Sequence, residues 1–436
     1  MILVYTEIIS SRLQYILDFI GKEMGGADFQ FTNDKERFQK FNTTKLNYSN
    51  KRNSDVEYWI KPNGLLFEKG IQPKKTDCFV VNGQKAFFKT EGDFPFDILS
   101  ASFYLLSRYE EYLPYKKDMY GRYAHENSLA FQENFLQLPL INIWLKDLAA
   151  SLKNKFSSFT FHLSPFTFRP TYDIDEAYSY KHKGLARTAG GFAKQLLTGN
   201  WGDANTRIAV LNNKAIDPYD SFLWMDKLHT ENTMHPIYFF QIAHKRGEYD
   251  KNILPSHPAM KQLIQQLSEK YTVGIHPSWR SGDEENLLPE EIQNLEHITG
   301  KKITISRQHY LRFTLPHTFR RLIDAGITDD HSMAYGTING FRASVASSFY
   351  WYDLEKEEKT NLLLHPFCFM EANSFFEQKL TPEQTLEEMQ HYYNEVKSVN
   401  GTLITLWHNS FLGTEKRFAG LKEVYEQFSK QVRSEM

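Results

Sequence analysis

The stretch that decides the fold is Arg169-Pro170-Thr171-Tyr172-Asp173-Ile174-Asp175-Glu176-Ala177, and the second half of the chain is best interpreted from it. Phe168 and Tyr172 alternate with smaller or polar residues, a period of two that predicts a β-strand. The strand runs into Asp173 and Asp175, which lie two positions apart and therefore on the same side of an extended chain.

The two carboxylates at the end of this strand require a physical explanation. Carboxylates so close together repel each other unless a cation or a shared proton separates them. A metal-bound carboxylate beside a free one meets this requirement. A solvated acidic turn after an edge strand is the alternative, and the pair alone does not decide between them.

Length and composition predict a globular protein with two domains. The chain has 436 residues, more than a single typical core, and we place the domains at residues 1–157 and 158–436. Hydrophobic residues make up 41% and charged residues 24%, which is ordinary for a soluble protein. The net charge of −2 gives no reason to expect nucleic acid or an anionic membrane as a partner. The oligomeric state stays open.

Signals for export or for a membrane span are not found in the sequence. Residues 1–7 lack a basic region followed by a long apolar run, so we expect no signal peptide. No stretch approaches 18 uninterrupted apolar residues, so we expect no membrane span. Cys78 and Cys368 are far apart and fit no thiolate metal motif. The expected compartment is the cytoplasm.

The first domain is predicted to be a smaller α+β domain. Residues 2–9 predict a buried strand, and residues 28–92 predict short strands separated by turn signals. A helix is predicted over residues 97–112. Its segment Ser107–Tyr112 carries charges that form either a solvated face or a contact to the second domain. We find no catalytic constellation in this half and expect a structural or regulatory role for it.

The second domain is predicted to alternate strands with helices. Strands are predicted at residues 166–173, 236–243, 271–276, 302–311, 361–367 and 402–408. Helices lie between several of them, including one that begins with a capping box at Thr381–Gln384. This alternation predicts an α/β fold with a mostly parallel sheet or barrel.

Polar residues gather at the carboxyl ends of these strands. They are Asp173, Asp175, His276, Arg307, His309 and His408. Any one of the histidines alone is commonly a packing residue, but several strands ending in potential ligands are harder to explain by packing. Because parallel barrels place their active sites at that edge, we predict a shared polar site there.

Four short motifs carry a resemblance to a known family. They read Thr-Tyr-Asp-Ile-Asp at residues 171–175, Gly-Ile-His-Pro-Ser at 274–278, Ser-Arg-Gln-His at 306–309 and Leu-Trp-His at 406–408. In this order they resemble the first, second, third and last motifs of the polysaccharide deacetylases with the NodB homology domain (carbohydrate esterase family 4). Residues 322–332 resemble the family's Asp-Ser segment. The N-terminal half, with Ser-Arg-Tyr-Glu-Glu at 107–111, resembles the domain that accompanies a bacterial branch of the family.

The resemblance covers about residues 165–430 and implies both a fold and a chemistry. The implied fold is a distorted, NodB-like (β/α)7 barrel, and the implied reaction is metal-assisted removal of acetyl groups from an acetylated saccharide. Asp173 would be the general base, His408 would protonate the leaving group, and Arg307 would orient the base. Asp175 and His276 would hold a divalent metal. Zinc or a similar ion is expected, since the ligands are Asp and His without thiolate.

The sequence departs from the family at one ligand position. The family's second motif supplies another His four residues on, where this chain has Arg280, and a guanidinium cannot bind a metal. Our candidate for the third ligand is His309, because the neighbouring strand could bring it to the same edge. A hydrogen-bonding role for His309 in the cleft wall is the alternative, with a weak or absent metal.

Four further residues are predicted to contact the substrate, namely Arg342, Trp407, Trp279 and Asp330. Arg342 is also a second candidate for the arginine motif, although the chain order favours Arg307. The tryptophans could form an acetyl pocket or a sugar platform, or they could pack in the core under the barrel rim. The long segment 178–233 is expected to shape the cleft.

Two other functions are open at this stage. A related barrel hydrolase of glycosidic or other C–N bonds would need a carboxylate pair, and Asp173 with Asp329 or Asp330 is the pair available. A non-catalytic sugar-binding relative would have lost its metal with the change to Arg280.

Overall fold

The N-terminal segment is built around a small parallel sheet in a computed structural model that describes residues 1–162 and 164–435. The strands are β1 (Ile2–Tyr5), β2 (Phe29–Thr32), β3 (Lys45–Asn47) and β4 (Tyr58–Trp59), in the order β2-β1-β3-β4, followed by the antiparallel hairpin of β5 (Phe79–Val81) and β6 (Gln84–Ala86). The helices are α1 (Ser11–Glu23), α2 (Lys35–Lys40), α3 (Ile98–Leu106), α4 (Leu129–Gln132) and α5 (Leu140–Lys155).

The rest of the chain forms one large sheet with helices around it. Its strands are β7 (Thr167–Ile174), β8 (Ile237–Gln241), β9 (Thr272–His276), β10 (Ile305–Ser306), β11 (Asp329–Asp330), β12 (Phe349–Asp353), β13 (Glu358–Leu364), β14 (Phe369–Met370) and β15 (Thr402–His408). The helices are α6 (Leu185–Leu197), α7 (Trp201–Leu211), α8 (Phe222–Glu231), α9 (Pro258–Lys270), α10 (Leu287–Thr299), α11 (His317–Asp324), α12 (Pro382–Ser398) and α13 (Leu421–Ser434).

Over residues 164–435 the strand order is β12-β13-β11-β10-β9-β8-β7-β15-β14. Every neighbouring pair is parallel except β12 and β13. The parallel strands therefore all end at one edge, as the alternating pattern predicts. The predicted α/β class is confirmed, with the antiparallel β12 and the two-residue β14 added to the expected seven strands.

The sheet is strongly curled, which one side chain makes clear. Arg307 follows β10, and three strand spacings separate β10 from β7 in the sheet, about 14 Å if the sheet were flat. The Arg307 guanidinium nevertheless donates to Asp173 of β7 at 2.9 Å, and it packs on both Phe239 and Phe367. The carboxyl ends of distant strands consequently face one another across a concave interior.

One strand is much shorter than its sequence predicts. The predicted strand 302–311 pairs only at Ile305–Ser306, and the backbone then turns sharply, with positive φ at Tyr310 and Leu311. The turn is fixed by hydrogen bonds from the Arg307 amide to the Ile275 carbonyl and from the Gln308 amide to the Ser332 hydroxyl. It brings the side chain of His309 toward the strand ends.

The N-terminal segment packs directly on the large sheet. The ring of Tyr352 in β12 contacts those of Tyr15 and Phe103, and the buried residues of both segments form one continuous core. The boundary at residue 157 stays a prediction. Among the described residues, no helix is long and apolar enough to cross a membrane.

A buried ion-pair network also joins the two segments. Glu111 accepts hydrogen bonds from Arg342 at 2.8 and 2.6 Å and from Arg108 at 2.8 Å, and all three side chains are at most 3% exposed. Burial alone would raise the pKa of Glu111, but Arg342 and Arg108 lower it overall. The charges of the Ser107–Tyr112 segment are therefore a contact between segments and not a solvated face.

Replacing Glu111 with Gln is expected to destabilise the fold strongly. The change leaves the guanidinium groups of Arg108 and Arg342 buried with too little negative charge, which costs about 3–5 kcal/mol in comparable cases. Urea unfolding measures the loss. As a control, Glu426→Ala removes the exposed helical pair with Lys430 and should cost less than about 0.5 kcal/mol. Equal, small losses in both variants would contradict the structural role of Glu111.

Candidate active site

The predicted polar site lies in a cavity at the carboxyl edge of the large sheet. The cavity has a volume of about 500 Å³, and its wall includes Asp173, Asp175, His276 and His408. These residues come from the ends of three strands, β7, β9 and β15. The curl of the sheet brings the strand ends close enough for their side chains to meet.

Asp173 is held by a buried arginine. Its Oδ1 accepts a hydrogen bond from Arg307 Nη1 at 2.9 Å, and its side chain is 3% exposed. Arg307 is itself fixed, because it donates to Thr171 Oγ1 at 2.8 Å and to the His331 carbonyl at 2.9 Å. The second oxygen, Asp173 Oδ2, lies 3.6 Å from His276 Nε2 and faces the cluster described next.

Asp175, His276 and His309 form a compact cluster. One ligand atom from each residue can be chosen so that all lie within 4.8 Å of one another. His276 Nε2 is 3.2 Å from Asp175 Oδ1, and His309 Nε2 is 3.4 Å from Asp175 Oδ2. The structure therefore places His309 beside the other two predicted ligands.

The outer nitrogen of each histidine is already engaged. His276 Nδ1 lies 2.6 Å from the Arg307 carbonyl oxygen, and His309 Nδ1 lies 3.3 Å from Asp250 Oδ1. With a proton on each Nδ1 as the donor, Nε2 is the nitrogen that faces Asp175, and it offers a lone pair to a cation once it has lost its own proton. Such outer hydrogen bonds orient histidines that ligate metals.

This donor set fits a divalent cation. From the described residues, the buried Asp175 Oδ1 accepts no hydrogen bond, so its negative charge has no donor to satisfy it. Burial acts to raise the pKa of Asp175, but His309 and His276 lower it well below its usual range. One carboxylate and two imidazoles without thiolate suit zinc and similar ions.

Arg280 lies away from the cluster. Its guanidinium pairs with Glu284 one helical turn on, and its side chain is 40% exposed. The resemblance predicts a histidine ligand at this position. Arg280, which stands there, does not place its guanidinium in the cluster. His309, reaching in from the turn after β10, lies where a third ligand is needed.

His408 ends β15 and lies directly beside Asp173 of the neighbouring β7. Its Nε2 is 3.5 Å from Asp175 Oδ2, and its Nδ1 contacts Glu371 Oε1 at 2.6 Å. Burial acts to lower the pKa of His408, but Glu371 outweighs it and raises this pKa to about 10. The imidazole is therefore protonated at neutral pH, with its Nε2 proton directed at the cluster.

The four predicted substrate contacts lie outside this cavity wall. Arg342 is a correction, because its guanidinium is buried and bound by Glu111 and the Ala334 carbonyl. Trp407 is fully buried against Tyr425, and Asp330 is fully buried and accepts from Ser306 and Ser332. Both pack in the core, which corrects these two predictions as well.

Trp279 lies nearer the site than the other three. It is half-buried and stacks on Tyr249 at 4.0 Å between ring centres. Its ring also contacts those of Tyr120 and Tyr310, which do line the cavity. Trp279 therefore supports the aromatic wall of the cavity from behind.

The sequence interpretation missed several residues of the site. Glu371 directly follows β14 and Asp250 lies in the loop after β8, so both follow strands, but isolated acids of this kind carry no recognisable spacing. Tyr120 and Arg122 come from the N-terminal segment, for which no part in the site was expected. No sequence signal links them to strand ends that follow much later in the chain.

The chain was compared with protein families, curated proteins and solved structures. Residues 2–157 match a family of unknown function, DUF7033, and no curated protein matches the chain. One similar solved structure is a putative polysaccharide deacetylase from Mycobacterium smegmatis, 13% identical, covering 62% of this chain and 85% of its own, with a TM-score of 0.40.

Two further solved structures are similar to about the same degree. Puue allantoinase is 10% identical, covers 62% of this chain and 84% of its own, and has a TM-score of 0.41. A probable polysaccharide deacetylase from Pseudomonas aeruginosa PAO1 is 12% identical, covers 62% and 85%, and has a TM-score of 0.40. At identities of 10–13%, these are similarities of fold and not of function.

Alanine at His276 or His309 is expected to weaken zinc binding by more than about 100-fold, because loss of a direct ligand should exceed the 10–100-fold cost of losing an outer-shell partner. Isothermal titration with zinc measures the affinity. Asp250→Asn, which alters the hydrogen-bond partner of His309 and leaves all three predicted ligands in place, should fall within that 10–100-fold range.

Arg280→Ala is the matched control, since this side chain pairs with Glu284 outside the cluster. It should bind zinc as the unchanged protein does. Full zinc affinity in the His309→Ala variant would remove His309 from the ligand set.

Proposed function

We propose that the protein is a metal-dependent hydrolase that removes acetyl groups from an N- or O-acetylated saccharide. The observation that carries the proposal is the arrangement of Asp173, the Asp175–His276–His309 cluster and His408 around one cavity. A candidate base and a candidate acid, on neighbouring strands, both lie beside a candidate metal site. Together these groups can hydrolyse an acetyl amide or ester.

Asp175 Oδ and the Nε2 atoms of His276 and His309 would hold the cation. When bound, a divalent ion such as zinc polarises the acetyl carbonyl and lowers the pKa of water, so that hydrolysis proceeds near neutral pH. The outer partners, Asp250 and the Arg307 carbonyl, keep both imidazoles turned toward that position.

Asp173 acts as the general base. Arg307 occupies its Oδ1, so the proton of the attacking water passes to Oδ2, which faces the cluster. Because Arg307 is fixed by Thr171 and the His331 carbonyl, the carboxylate cannot rotate freely. The arginine therefore orients the base and does not itself contact the substrate.

His408 acts as the general acid. Glu371 on Nδ1 keeps the imidazole protonated, and Nε2 delivers its proton to the leaving nitrogen or oxygen of the sugar. After this transfer the buried Glu371 still holds the neutral ring in place through the Nδ1 proton. The Glu371 carboxylate thus favours the protonated form of His408 and also fixes the orientation of its ring.

The rest of the cavity suits a sugar. Its volume of about 500 Å³ lies within the range of small-molecule sites. Aromatic rings line it, including Tyr120, Tyr310 and Phe411, beside polar groups such as Asn409. Aromatic faces pack against the apolar side of sugar rings, while hydroxyl groups take the polar contacts.

Glycosidic cleavage needs a second carboxylate across the sugar, and the candidates predicted to pair with Asp173 are Asp329 and Asp330. Asp330 is buried and held by Ser306 and Ser332. Asp329 accepts from His365 at 2.8 Å, and neither acid lines the cavity with Asp173. The pair that the sequence offered for this reaction therefore does not face a common substrate.

Asp173→Asn is expected to lower acetate release from acetylated sugars by at least about 100-fold, the lower range of a general base's contribution. Zinc content should stay within twofold of the unchanged protein, since Asp173 is not in the ligand cluster. Acetate release from a panel of N- and O-acetylated saccharides and metal analysis are the two measurements.

Asp329→Asn is the control, because it removes an acid outside the cavity and should retain acetate release. Turnover by Asp173→Asn equal to that of the control would exclude Asp173 as the base. Failure of the zinc-loaded unchanged protein to release acetate from any member of the panel would contradict the proposed reaction.

A further inference from the structure

The helical hairpin of α6 and α7 exposes an unusual apolar face. On α6 the exposed positions are 185, 186, 189, 190, 193, 194 and 197, and all of them except Lys194 hold Leu, Ala or Gly. Leu185 is 91% and Leu197 is 88% exposed, and Trp201 at the start of α7 is 63% exposed. Helices of globular proteins normally turn such a face toward the core.

The inner face of the hairpin is mixed, because Ala204 and Val210 of α7 are buried there together with Arg207. The side chain of Arg207 on α7 packs beside Gly191 and donates to Gln195 of α6 at 2.8 Å, and it covers the ring of Tyr180. The hairpin is therefore held to the protein through both apolar and polar contacts. The apolar residues that face outward are additional to those of its inner face, and they call for a partner of their own.

The charge of the same segment identifies that partner. Residues 181–214 contain six Lys or Arg and one Asp, a net charge of +5 in a chain whose total is −2. Lys183 is taken up by Glu176, but Lys194 and Lys214 are exposed beside the apolar residues. A second copy of the chain would set like charges against each other in a symmetric contact, whereas an anionic surface would be attracted.

We propose that this hairpin docks the protein on an anionic lipid surface. The exposed leucines and Trp201 enter the headgroup region, and the neighbouring lysines contact lipid phosphates, which is how interfacial amphipathic helices bind. The total net charge of −2 gave no reason to expect a membrane partner, because it averages out the positive charge of residues 181–214.

The hairpin is also connected to the cavity at both of its ends. Glu176 just before it and Tyr219 just after it line the cavity wall, and Asn409 donates to the carbonyls of both residues, at 3.1 and 2.8 Å. Docking therefore keeps the cavity rim next to the lipid surface. If the proposed deacetylase function holds, the substrate class is a saccharide attached to a lipid.

Vesicle co-sedimentation of the full chain tests the docking and needs no activity. The protein should sediment with phosphatidylcholine vesicles containing phosphatidylglycerol, not with phosphatidylcholine alone, and added salt should release it. The triple variant Leu185→Ser, Leu197→Ser, Trp201→Ser should bind at least about 10-fold more weakly, because it loses three apolar anchors.

Val80→Ser is the matched control, since Val80 is 64% exposed on the distant β5 strand, and it should bind as the unchanged protein does. No sedimentation with the anionic vesicles, or equal binding by the triple variant, would overturn the proposal. So would a dimer that the same three changes dissociate without any vesicle binding.

A second, independent observation concerns Arg122, which the N-terminal segment places in the cavity wall. The side chain is 5% exposed, and among the described residues its Nη2 is buried without a hydrogen-bond partner. Nε donates to Asp118 at 2.6 Å and Nη1 to the Tyr310 carbonyl at 2.5 Å. The guanidinium is thus fixed at two points in the cavity wall, and its third nitrogen is left without a partner.

The guanidinium of Arg122 lies against the backbone of Gly336, where a larger residue would not fit. A Cβ on Gly336, which also lines the cavity, would lie 1.9 Å from Arg122 Nη1. The ring of Tyr120 lies under the guanidinium, 4.8 Å from its carbon. We infer that Arg122 is a substrate-positioning residue whose Nη2 donates to an oxygen of the bound saccharide. This inference rests on the proposed function.

Steady-state kinetics of Arg122→Ala tests this role. KM should rise by about 10-fold, because the variant loses one charge-assisted hydrogen bond to the substrate. The value of kcat should change by less than about threefold. Added ethylguanidinium should restore KM in this variant only, a response that a merely structural residue would not give.

The outcomes separate the two proposals. An unchanged KM, or a raised KM that ethylguanidinium leaves unaltered, overturns the role of Arg122 while acetate release by the unchanged enzyme still supports the function. Gly336→Ala is a second variant, expected to raise KM in the same way because it displaces the guanidinium. A normal KM in Gly336→Ala, with the fold retained, also contradicts the inference.

Discussion

The structure depends on how buried charges are paired where the strands of the curled sheet end. An unpaired buried carboxylate or guanidinium costs several kcal/mol, so each such group must find its partner. Arg307 meets this need for Asp173 from across the barrel interior, and Glu371 does so for His408. Among the described residues, two buried carboxylate oxygens of the site have no donor, Glu371 Oε2 and Asp175 Oδ1, and Asp175 is the one that clusters with two imidazoles. The unsatisfied Asp175 Oδ1 is the strongest physical reason for a cation at this place.

The same rule explains why the N-terminal segment is part of the working molecule. Glu111 is buried between Arg108 of its own segment and Arg342 of the other, so the two parts cannot separate without exposing or orphaning charges. The segment then extends Tyr120 and Arg122 into the cavity. A domain expected to be structural or regulatory thus forms part of the wall of the site.

Local sequence patterns predicted the parts of the fold that depend on local physics. The strand predicted at residues 402–408 is β15 with those same bounds, and the capping box at Thr381 and Gln384 begins α12. The two aspartates at the end of β7 and the histidines ending β9 and β15 were found because parallel strands share an edge. The family resemblance added roles for them that periodicity alone could not supply.

What the sequence could not predict depends on contacts between distant residues. Arg342 was assigned to the substrate because nothing in the chain reveals that Glu111, 231 positions earlier, would bind it. Trp407 and Asp330 were also assigned to the substrate, but both are buried. The direction of a side chain at a strand end depends on the curl of the whole sheet, which the local sequence does not reveal. Glu371, Asp250 and Arg122 each lack a motif, and only the packed structure brings them to the site.

The measurement that tests the account most directly is a crystal structure of the protein soaked with zinc, with anomalous data collected at the zinc edge. The account predicts one strong anomalous peak bound by Asp175, His276 and His309, at about 2.0–2.2 Å from each ligand atom. An anomalous map without a peak at these three residues, or a zinc ion bound elsewhere with His276 and His309 turned away from Asp175, would contradict it.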